Sequence, residues 1–70
     1  MKIKKSFGMI GLTKNHFDEL ILPHLDDVII IQLKEGKRGI SVTLELEEEK
    51  IQDVEHLINS AYTIISKRLV

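Results

Sequence analysis

No cysteine occurs among the 70 residues. Disulfides, thiolate zinc sites and cysteine nucleophiles are therefore excluded. Tryptophan is also absent, and aromatics make up only 4% of the chain. A base-stacking platform would have to draw on Phe7, Phe17 and Tyr62 alone. Neither sign of charge dominates: ten Lys+Arg stand against eleven Asp+Glu, a formal net charge of −1. That is not the balance of a typical nucleic-acid binder. No apolar run approaches the length that spans a bilayer. Walker and dinucleotide-binding glycine motifs are missing, and none of Ser6, Ser41 or Ser60 lies in a G-x-S-x-G elbow. Met1-Lys2-Ile3-Lys4-Lys5 looks like the start of a signal peptide, but the apolar stretch at 7–12 is short and holds two glycines. Lys14, Asn15 and His16 follow it instead of a small-residue cleavage site, so a cytoplasmic protein without a targeting segment is expected.

What is present fits one domain, residues 1–70. A chain this short buries only about 60% of the surface it exposes when unfolded. Small domains commonly add a disulfide, a metal or a partner subunit. Without cysteine, a partner subunit is the natural staple.

Residues 2–12 have strand character, with Ile3, Phe7, Met9 and Ile10 apolar. Gly8 and Gly11 suggest an edge strand with a bulge. In 13–25, Thr13 or Asn15 can cap a helix, and Phe17, Leu20 and Ile21 share one helical face. Pro23 would end a short helix near 14–22; an irregular loop is the competing reading. Val28-Ile29-Ile30-Ile31-Gln32-Leu33-Lys34 is the strongest strand, because β-branched side chains suit a pleated sheet. Its two faces are both apolar, so a central strand covered on both sides is expected. Glu35-Gly36-Lys37-Arg38-Gly39 reads as a hairpin turn. Ile40, Val42, Leu44 and Leu46 then alternate with Ser41, Thr43 and Glu45 in a half-exposed strand. Residues 48–69 read as a single amphipathic helix with the apolar stripe Ile51, Val54, Leu57, Ile58, Ala61, Tyr62, Ile65 and Leu69. Glu47, Glu48 and Glu49 suit its positive end, and Lys67 and Arg68 its negative end.

The expected fold is α+β: a three-stranded, mostly antiparallel sheet packed on one long C-terminal helix. The remaining apolar face of strand 28–34 needs a cover, from the short helix or from a second copy. A homodimer closed by two-fold symmetry is expected, with Ile29, Ile31 and Leu33 at its interface.

In element order and size, with the hairpin Val28–Leu33 / Ile40–Leu46 and a single long terminal helix, the chain resembles the YopT-type small proteins of Bacillus prophages. The resemblance implies a homodimer of three strands and one helix per subunit, with no established activity and no functional residue to carry over. It puts a helix at 14–22 in doubt.

Other constellations have bland readings beside them. Lys34, Lys37 and Arg38 form a basic hairpin tip, with Lys2, Lys4 and Lys5 on a possible neighbouring strand. Such a ribbon can enter a DNA groove, although charged turns are ordinary. Gly8-Met9-Ile10-Gly11 matches the G-x-x-G of KH domains, but a KH loop joins two helices, and a tightly packed strand is simpler. His16, His24 and His56 match no metal spacing, even with Asp26 and Asp27 nearby, and read as scattered surface residues. No catalytic residue, metal or cofactor is expected. The resulting expectation is a non-enzymatic homodimer acting through protein contacts. A nucleic-acid-binding dimer using the basic tip is the alternative, and an enzyme with a site between subunits a third.

Overall fold

The computed structural model describes residues 1–68. The fold is α+β. Strand β1 (Lys2–Ile10) is followed by a short helical stretch, then β2 (Ile29–Glu35), β3 (Gly39–Glu47) and the long helix α2 (Ile51–Arg68). The expected helix position Leu69 lies outside the described residues. A 3-10 turn at Glu48–Lys50 leads into α2, so the acidic residues at its start occupy its positive end.

The sheet is three-stranded and antiparallel, in the order β1-β3-β2. Strand β3 is therefore central, and β2, expected at the centre, is an edge. The apolarity of both faces of β2 concerns what lies above and below it. Centrality requires hydrogen bonding along both edges, which β3 has and β2 lacks. The clean alternation of β3 places Ile40, Val42, Leu44 and Leu46 in the core and leaves Ser41 exposed.

Strand β1 is the other edge, but without the expected bulge: its pairing with β3 runs unbroken from Lys2 opposite Glu47 to Ile10 opposite Gly39. Gly8 and Gly11 thus belong to a strand and the turn beyond it, not to a loop between helices. Gly11 takes φ +87°, and its N–H donates to the Arg38 carbonyl at 2.7 Å. Gly39 is needed for a different reason. A Cβ there would lie 2.3 Å from the Met9 carbonyl oxygen.

The helical stretch 14–24 is an α-helical turn α1 (Lys14–His16), a π-helical turn (Phe17–Ile21) and a 3-10 turn (Leu22–His24). Thr13 caps it. Its hydroxyl accepts from the His16 N–H, and His16 Nδ1 accepts from the Thr13 N–H, both at 3.2 Å. Pro23 does not stop the stretch at 22, because a 3-10 turn accepts proline in its first positions. Phe17 and Ile21 are fully buried and Leu20 packs beside them, as their spacing requires.

Phe17 and Ile21 join Phe7, Met9, Leu12, the inward residues of β3, and Val54, Ile58 and Ala61 of α2 in a single core. The stretch 14–24 therefore covers the same sheet face as α2. It does not cover the opposite face, which remains open. Tyr62 ties α2 to the sheet: its hydroxyl donates to the Ile10 carbonyl at 2.7 Å. Arg68 reaches back to Glu19 at 2.6 Å, joining the end of α2 to the π turn.

Candidate functional site

Two edges bound this sheet, and they differ in chemistry. β1 carries Lys2, Lys4 and Lys5. Lysines on an edge strand deter pairing with another chain, because pairing would crowd and desolvate their charge. The first charge on β2 is Lys34, and before it Ile29, Ile30 and Ile31 are exposed at 50%, 39% and 45%. A free strand edge presents alternate N–H and C=O groups outward. Here those groups run beside three exposed isoleucines.

A bulge sets which way they face. Ile30 pairs with Leu44 and Gln32 with Thr43, so Ile31 is the extra residue. The bulge reverses the alternation beyond it. Ile30 and Leu33 stand opposite the core residues Leu44 and Val42, whereas Ile29, Gln32 and Lys34 stand opposite Glu45, Thr43 and Ser41 on the open face. The expected interface trio is thereby divided. Leu33 packs against the core, Ile29 lies on the open face, and Ile31 is exposed at the bulge. Ile30 stands on the core side opposite Leu44 but is still 39% exposed, so it joins Ile29 and Ile31 in the exposed set. Bulges carry no reliable mark in one sequence, and the run of three isoleucines was the only hint.

The rest of the open face is mostly polar, apart from Ile10 at the hairpin-tip end of β1, which is exposed at 75%. Ser6 and Thr43 are directly opposite, and their hydroxyls are 2.9 Å apart. Lys4 faces Glu45 and Lys2 faces Glu47. These lysines sit at the far end of β1 from the hairpin tip, so Lys2, Lys4 and Lys5 do not extend the basic patch of Lys37 and Arg38. Lys14 does adjoin it. The turn at Gly11 brings Gly11–Lys14 against Glu35–Ile40, leaving an open cleft of about 290 Å³ lined by Lys14, Lys37 and Arg38. Sequence spacing could not foresee Lys14 here, because the contact depends on the turn.

At the other end of β2 lies an acidic turn. Asp27 has φ +55°, which Asp tolerates better than most residues. Lys50 of the 3-10 turn donates to the Asp26 carbonyl at 3.0 Å and lies 3.6 Å from the Asp27 carboxylate. His16 serves the helix cap, and no group of three or more His, Asp and Glu able to hold a metal occurs among the described residues.

Two carboxylates are held below their ordinary range. The Arg68 guanidinium lowers Glu19 by hydrogen bonding and charge, and the Met1 amine lowers Glu47 mainly by hydrogen bonding. Both groups are surface clasps between elements. No helix among the described residues is long and apolar enough to cross a membrane.

An exposed apolar edge of this kind can add a strand from another chain: main-chain hydrogen bonds supply affinity and alternate side chains supply specificity. Comparison with protein-family models, curated proteins and solved structures finds no match to this chain.

Proposed function

We propose that the protein is a small, non-enzymatic homodimeric interaction module assembled through β2. The observation that carries this reading is the contrast in guarding, with exposed Ile29, Ile30 and Ile31 on one edge and lysines on the other. Burying such side chains favours association by about 25 cal/mol per Å² of apolar surface, before association entropy is charged. In the prophage setting implied by the resemblance, the role would be accessory or regulatory.

Light scattering over a dilution series tests the reading. Twice the chain mass, falling to the chain mass in Ile29→Lys, is the expected result. A wild-type monomer at every concentration would overturn it.

A second reading is nucleic-acid binding through Lys34, Lys37 and Arg38, favoured by the junction of Lys14 with the hairpin tip. Binding of this kind should weaken steeply with salt and vanish when Lys37 and Arg38 are both changed to Glu. Binding that survives that double change would eliminate it.

A further inference from the structure

The charges along β2 are sorted by end. Asp26 and Asp27 precede the strand, and Lys34, Lys37 and Arg38 end it or follow it, with Glu35 the one exception. The middle, 28–33, is apolar apart from Gln32. A segment acidic at one end and basic at the other complements itself when two copies run antiparallel.

We infer that the occupant of the β2 edge is β2 of a second copy, antiparallel and centred on the bulge, with the basic end of each strand against the acidic turn of the other. This rests on the dimer reading above.

The bulge selects the register. Residues directly opposite in a continuous sheet share a face. A two-fold axis at the bulge sets Ile29 against Gln32, both on the open face, and Val28 against Leu33, both packed towards the core. It also brings Asp27 beside Lys34 at both ends of the seam. A two-fold axis at Gln32 would match faces equally well, but it sets Ile29 against Lys34 and Val28 against Glu35. Charge and apolarity both favour the bulge-centred arrangement. A six-stranded sheet results, in which β1 with its lysines forms both outer edges. The hairpin tip, with Lys37 and Arg38, then lies towards the partner's Asp26–Asp27 turn, so the basic patch serves the seam.

Charge exchange tests this arrangement separately from dimerisation itself. Lys34→Glu and Asp27→Lys should each raise the dimer dissociation constant about tenfold, since each sets like charges together at both ends of the seam. Mixing the two variants should restore association as a heterodimer, because each chain then offers the charge the other lacks. The double variant Asp27→Lys/Lys34→Glu should likewise regain the wild-type constant as a homodimer. Circular dichroism of both single variants confirms that any loss is not unfolding, a control that Asp27→Lys requires because it also sets a cation beside Lys50 of its own chain. A wild-type dimer indifferent to these changes, or variants that fail to rescue each other, would overturn the register and leave the dimer standing. A wild-type monomer would overturn both.

Discussion

The two edges of the sheet show opposite solutions to one problem. β1 joins β3 through nine uninterrupted pairs, and its outer side carries lysines that discourage further pairing. β2 joins β3 through six pairs interrupted by a bulge and offers isoleucines outward. The two edges differ in guarding as well as in pairing: β1 carries Lys2, Lys4 and Lys5, whereas β2 leaves Ile29, Ile30 and Ile31 exposed, and the proposed dimer rests on that difference. Composition and the bulge together separate them, since both strands have a free edge and both lie beside β3.

The largest expected disruption is on the β1 side. Gly39→Ala would drive a methyl group into the Met9 carbonyl and the Ile10 backbone. It should cost more than about 3 kcal/mol, read as a large fall in urea midpoint, because backbone on backbone has little room to yield. If stability were unchanged, the close joining of β1 to β3 would be wrong. Phe17→Ala should cost about 3–5 kcal/mol by the same readout, since the ring is fully buried between the sheet and α2.

The β2 side should respond differently. Ile29→Lys should change the stability of the isolated subunit by less than about 1 kcal/mol, because the residue is half exposed on an open face. Its effect should fall on association, raising the dissociation constant by about a hundredfold or more through desolvation of the new charge. Unfolding by this change would mean that Ile29 is covered within the chain. Lys4→Ile sharpens the comparison from the other edge. Removing a guarding charge should promote association beyond the dimer, visible as a rising mass with concentration.

The smallest effect concerns the clasp between α2 and the 14–24 stretch. Glu19 binds its proton less tightly in the fold than in the unfolded chain, because Arg68 favours the carboxylate. Its contribution is therefore fully present above the ordinary carboxylate value of 4.5 and is lost as pH falls through the lower folded value. Glu19→Gln should flatten the acid limb of the stability profile slightly. An unchanged limb would show that the pair is too solvated to matter.

Much of this was legible in the residues. The alternation at 40–46 and the stripe of α2 each name their own inward face, because each pattern has one period throughout, and Phe17, Leu20 and Ile21 share a face because all three fall within the single π turn. Strand order was not legible. Apolarity on both faces of 28–34 describes faces, while strand order is set by which edges pair, and those contacts run between distant parts of the chain. The division of Ile29, Ile31 and Leu33 escaped for a related reason: one bulged residue reverses the period, and a run of isoleucines looks alike in either phase. Lys14 joined the basic tip only through the turn at Gly11.

The most direct test is the solution mass of the wild-type chain by light scattering, from high to low micromolar concentration. Twice the chain mass, dissociating on dilution to a folded subunit, is what an unguarded β2 edge predicts. A monomer across the whole range would contradict it and leave the three exposed isoleucines without a partner of their own kind.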